Sequence, residues 1–82
     1  MNLYLISRHD RCDYDEYSDA IVAAKSEDEA RLIHPSTLQD ESWVTKKDYS
    51  SWVPPHNVVV QLVGHATKEI KKGVVCASFH AG

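Results

Sequence analysis

The segment Ser26-Glu27-Asp28-Glu29, with Pro35 six residues beyond it, constrains this chain more than any other feature. Ser26 is placed to cap the free backbone N–H groups of a helix start, and Glu29 to reach back to the Ser26 N–H. Three acids in the first turn suit the positive end of the helix dipole. Pro35 disfavours helical geometry at His34 and stops the helix there. The spacing therefore predicts a helix of about two to three turns, with Ala30, Ile33 and Leu32 on its inward stripe. A helix this short is marginal alone, so it has to pack on something, and the rest of the chain offers strands.

Leu3–Ile6 is a short apolar run, and Tyr17–Ala24 is a second, centred on Ile21 and Val22. Between them, residues 8–16 are too polar to bury a face and read as an exposed loop. Asn57–Ala66 carries Val58, Val59, Val60, Leu62 and Val63, the bulky and β-branched types that favour strands. Thr67–Lys72 reads as a polar turn closed by Gly73, so the last two strands are expected to form a hairpin that joins the first in one sheet. Val74–Phe79 is nearly continuous in its apolarity, which predicts a central strand with Cys76 in the core. Residues 36–55 are the least regular. Their tryptophans, Trp43 and Trp52, are expected to pin the segment to the core, with a helical turn around Lys46–Ser51.

The order strand, strand, helix, long loop, strand, strand predicts a two-layer α+β domain. It would hold a four-stranded antiparallel sheet, in ββαββ order, with one short helix on one face. At 82 residues and 9.3 kDa the chain forms a single domain, residues 1–82. Its 43% apolar and 26% charged residues are ordinary for a globular protein and argue against disorder. Two cysteines, Cys12 and Cys76, fall short of a disulfide framework; a single Cys12–Cys76 bond is the alternative to the reducing compartment that is expected. The first residues lack a basic region and a long apolar core, so no leader peptide is expected. Val58–Val63 is far too short to span a bilayer.

Few catalytic patterns fit. His9 and Cys12 stand at H-x-x-C spacing beside Asp10, Asp13 and Asp15, but no second ligand pair exists, and zinc wants four. Counting twelve from Asp10 or Asp13 reaches Ile21 or Ala24 where a calcium loop needs glutamate. Cys12 lies among carboxylates, which raise a thiol pKa. No nucleophile elbow or phosphate loop is present. No cofactor, no metal and no enzymatic activity are expected. Lys46-Lys47 and Lys71-Lys72, with Trp43, Tyr49 and Trp52, would suit single-stranded nucleic acid. A net charge of −3 speaks against direct nucleic-acid binding.

Charge is unevenly distributed. Residues 10–29 carry eight acids against Arg11 and Lys25, a local net of −6, whereas residues 42–82 carry five lysines against Asp48 and Glu69, a net of +3. The functional reading is an acidic face that docks on a basic protein surface and steers association. The expected partner-binding residues are Asp10, Asp13, Asp15, Glu16, Asp19, Glu27 and Asp28. Tyr14 and Tyr17 would supply apolar contact between the acids.

The chain resembles a family of very small phage and prophage proteins. The resemblance runs through Leu3–Ser7 (LYLIS), Tyr14–Pro35 (YDEYSDAIVAAKSEDEARLIHP), the tryptophan region, Asn57–Ala66 (NVVVQLVGHA) and Gly73–Gly82 (GVVCASFHAG), and so covers most of the molecule. Small acidic phage proteins often bind a host protein stoichiometrically, and inhibitors of CRISPR defence are the familiar example. The resemblance thus implies an anti-CRISPR-like inhibitor in the cytoplasm of a host bacterium. Its partner would be a host protein or ribonucleoprotein with a basic surface, with no membrane and no direct nucleic acid. Two other readings are a ligand-binding or enzymatic accessory protein with the 36–55 segment as a lid, and a homo-oligomer built through a strand edge.

Overall fold

The computed structural model describes residues 1–10, 14–36 and 41–80. The elements are β1 (Asn2–Arg8), β2 (Glu16–Ala24), α1 (Glu27–Arg31), α2 (Ser42–Thr45), a 3-10 turn (Pro55–Asn57), β3 (Val58–His65) and β4 (Gly73–His80). They build one four-stranded antiparallel sheet with short helices, an α+β architecture. Among the described residues the connection between the strand pairs holds α1, α2 and the 3-10 turn; the sequence predicts one short helix and a helical turn around Lys46–Ser51, and the second helix forms earlier, at Ser42–Thr45, where it buries Trp43.

The strands lie in the order β3-β1-β2-β4. The β1–β2 hairpin is the centre, with Tyr4 opposite Val22 and Ile6 opposite Ala20. These four residues head the core, together with Ala24, Ala30, Ile33, Trp43, Trp52, Val53 and Val58. Trp43 and Trp52 are each 1% exposed and do pin the irregular segment down. The Trp43 indole Nε1–H donates to the Leu32 carbonyl at 3.1 Å, which ties α2 to the end of α1.

Two expectations for the last strand are overturned. β3 and β4 do not form a hairpin, because residues 66–72 carry the chain from one edge of the sheet to the other. β4 is also not central. It pairs only with β2, and Val75–His80 are exposed along their whole length, Cys76 included. Apolar continuity does not distinguish a strand covered on both faces from a bare one. The core is covered where Trp43, Trp52 and α1 sit, and from β4 only Val74 packs against it.

α1 is five residues long, shorter than the pattern predicts. Its cap forms as expected at one end: the Glu29 N–H donates to Ser26 Oγ at 3.2 Å. The reciprocal bond shifts by one residue, since Glu29 Oε1 accepts the Lys25 N–H at 3.0 Å. α2 ends in a Schellman closure. Lys47 adopts φ 54°, the Lys47 N–H donates to the Val44 carbonyl and the Asp48 N–H donates to the Trp43 carbonyl. Among the described residues no helix is long and apolar enough to cross a membrane.

Candidate functional site: an acidic and aromatic corner

β1 delivers Arg8 to one end of the sheet, and β2 leaves from that end at Glu16. Asp15 turns the chain into β2 with φ 61°, a left-handed conformation that aspartate tolerates better than most residues. The Asp15 N–H donates to the His80 carbonyl, which ties this loop to the end of β4. Three parts of the chain therefore meet at one corner: the β1–β2 loop, the start of β2 and the end of β4.

Arg8 organises the acids. Its side chain is 6% exposed and grips Asp10 through two bonds, Nε to Oδ1 at 2.6 Å and Nη2 to Oδ2 at 3.1 Å. Nη2 also stands 3.5 Å from Glu16 Oε2, and Nη1 donates to the Tyr17 carbonyl at 3.1 Å. The bond from Arg8 is the main reason that the Asp10 carboxyl is held below its ordinary pKa. One guanidinium fork thus fixes two carboxylates and the first residues of β2.

Aromatic rings continue from this corner into the core. Tyr14, 69% exposed, lies against His80 with ring centroids 4.9 Å apart. Tyr17 meets Phe79 edge-on at 4.8 Å and His34 at 6.2 Å. His34 meets Trp43 at 5.3 Å, and Trp43 meets Tyr49 at 6.2 Å. Tyr17 reaches the core side because the β2–β4 register shifts between Tyr17 and Asp19. His34 is buried, and its Nδ1 accepts the Ser36 N–H at 3.0 Å. Burial lowers its pKa, and the Asp48 charge opposes that shift.

The structure brings together only part of the predicted acidic face. Asp10, Tyr14, Asp15, Glu16 and Tyr17 share the corner. Asp13 lies outside the described residues. Asp19 sits on the uncovered face of the sheet, in register with Ser7 on one side and Ser78 on the other. Glu27 and Asp28 stand beyond the opposite end of β2, about 27 Å away along nine residues of strand, in a molecule 35 Å long. Glu29, next to them, is 3.8 Å from Lys72. The physical reason is simple: a strand carries its two ends apart, so a run of acids that brackets a strand is split by it.

Arg8, Phe79 and His80 belong to the corner and were not singled out from the sequence. No local signal marks them, because each enters through strand pairing. Among the described residues no group of three or more His, Cys, Asp or Glu side chains is placed to hold a metal. The uncovered sheet face has a partly open concavity of about 250 Å³ beside Leu5, Ile21 and Cys76. That is below the usual size of a small-molecule site. In the 36–55 segment, the lid of the alternative reading, Trp43 and Trp52 stand in the core; Thr37–Asp40 of that segment lie outside the described residues. No family model, curated protein or solved structure matches the chain.

Proposed function

We propose that this is a small non-catalytic binding protein that docks its Tyr14–Tyr17 corner, with Asp10 and His80, on a basic protein surface. The supporting observation is the composition and support of the corner. An aromatic ring open to solvent stands among carboxylates, on a base held by Arg8 and by the end of β4. Carboxylates steer encounter with a positive surface, and a central aromatic supplies the desolvated contact that charge alone lacks. Asp19, Glu27 and Asp28 are left outside this contact because the sheet holds them elsewhere.

The partner in this reading is a host nucleic-acid-handling defence complex, in its most specific form a CRISPR effector. That finer identity comes from the likeness to small phage proteins, together with size and charge. The test is capture from a bacterial lysate by the tagged protein, followed by mass-spectrometric identification. A nucleic-acid-handling protein should be retained at low salt and lost with the double variant Tyr14→Ala/Asp15→Asn. Asparagine keeps the left-handed turn at position 15, so the variant should fold. Undiminished capture by it would remove the corner as the interface.

A further inference from the structure

We propose that the concavity on the uncovered sheet face is a binding site for a short primary alkylammonium ion, with Asp19 as its counter-charge. The site lies over the regular stretch of the β2–β4 pair, where Asp19 stands opposite Ser78, Ala20 opposite Ala77 and Ile21 opposite Cys76. Register shifts bound this stretch on both sides, between Tyr17 and Asp19 and between Ile21 and Val22, and irregularities of this kind bend a strand pair. Cross-strand partners share a face, as do residues two apart on one strand. Asp19, Ile21, Cys76 and Ser78 therefore stand together on the side opposite the core face of Ala20 and Val22. Leu5, opposite Ile21 on β1, completes the wall.

Asp19 is the one charged residue that lines this concavity. It is half-buried, and among the described residues no cation stands within ion-pair distance of it. Its Oδ1 takes a 3.3 Å bond from the Ser18 hydroxyl, which the Ser78 carbonyl shares at 3.5 Å, and Oδ2 has no donor among the described residues. A carboxylate drawn partly out of water beside apolar side chains favours a cation that restores its pairing. Ser7 and Ser78 stand in register on either side of Asp19. An ammonium carries three N–H donors and no acceptor, and one carboxylate between two hydroxyls offers it three acceptors.

The rest of the wall sets the body of the ligand. Leu5 and Ile21 are aliphatic, and the Cys76 thiol behaves as a small apolar group. A volume of about 250 Å³ is too small for a drug-sized molecule and holds a chain of about four carbons. Such a chain lies on Leu5 and Ile21 while its ammonium reaches Asp19. A carboxylate ligand would meet Asp19 as a like charge, and an alcohol would leave that charge unanswered. A lysine side chain of another protein carries the same group as a free amine, and the two sources are separated below. Asp19 and Cys76 lie outside the Tyr14–Tyr17 corner, so this site is independent of the docking reading.

Titration of the isotope-labelled chain with n-butylamine near neutral pH, read as backbone amide shifts, tests this, with n-butanol and butanoate as controls. The expected result is saturable movement of Ile21, Cys76 and Ser78 with a dissociation constant on the order of millimolar, as so small a ligand allows. Neither control should move them. Asp19→Asn should weaken binding about tenfold or more, the loss of one charge-assisted bond. Cys76→Leu, at an exposed position on an edge strand, should fill the concavity and abolish binding while the chain stays folded. The bound amine should also slow alkylation of Cys76 by iodoacetamide, followed by peptide mass spectrometry. Undiminished binding by a folded Asp19→Asn or Cys76→Leu variant overturns the site, as does movement confined to Tyr14, Asp15 and His80 or a lack of saturation in the tens of millimolar. Tighter binding of Nα-acetyl-lysine methylamide than of n-butylamine overturns the free-amine reading and makes Asp19 a socket for a partner's lysine. Lysate capture, which depends on Tyr14 and Asp15, is untouched by any of these results.

Discussion

Tyr14 and His80 lie with ring centroids 4.9 Å apart, so the residue that leads into β2 rests on the end of the last strand. Tyr14 is nevertheless 69% exposed, and its ring contributes little to the folded state. Tyr14→Ala should leave the thermal midpoint within a few degrees of wild type. It should weaken partner capture by roughly 30-fold, the loss of about 2 kcal/mol expected at a contact hot spot. Titration of capture against a thermal melt of the same preparation separates the two effects.

Arg8 answers for the corner's shape. Lysine cannot reproduce the two-bond grip on Asp10, nor reach Glu16 and the Tyr17 carbonyl at the same time. Arg8→Lys should therefore destabilise the chain by about 1–3 kcal/mol, the range for lost hydrogen bonds to charged groups, with the lower end favoured because Asp10 is half exposed. Urea titration measures it. Unchanged stability would mean that the fork has no structural role.

His34 makes stability depend on pH. Burial lowers its folded pKa below the ordinary 6.5, so below that value the unfolded chain binds the proton more readily. The His34 contribution is therefore complete above pH 6.5 and is lost as pH falls through 6.5 toward the lower folded value. Melting curves between pH 8 and pH 5 should show the midpoint falling mainly below 6.5. His34→Phe, which keeps a ring between Tyr17 and Trp43, should flatten that part of the profile.

The helix cap and the tryptophan core should respond on different scales. Ser26→Ala removes the acceptor for the Glu29 N–H and should cost about 1 kcal/mol. Trp43→Ala empties a site that is 1% exposed and strands the Leu32 carbonyl, at about 3–5 kcal/mol. For a domain of this size that is a large share of the total stability, so the variant should be largely unfolded at 37 °C. Equal effects of the two changes would contradict the packing described.

Local chemistry alone determined several parts of this protein. Ser26 and Glu29 set the start of α1 through bonds that span three or four residues. Apolar runs and β-branching marked the strands, and the indole rings of Trp43 and Trp52 were bound to seek cover. Tertiary structure decided everything that depends on which strand lies beside which. It made β4 an edge although its side chains suit a centre, because the core has room only where α1 and the tryptophans cover it. It parted Glu27 and Asp28 from Asp15 and Glu16, because β2 holds its ends a strand's length apart. It brought Arg8 and Phe79 to Tyr17 and His80 to Tyr14, because residues distant in the chain become neighbours only through pairing. Short-range bonds are written in adjacent residues, whereas neighbourhood across a sheet is set by the whole chain at once.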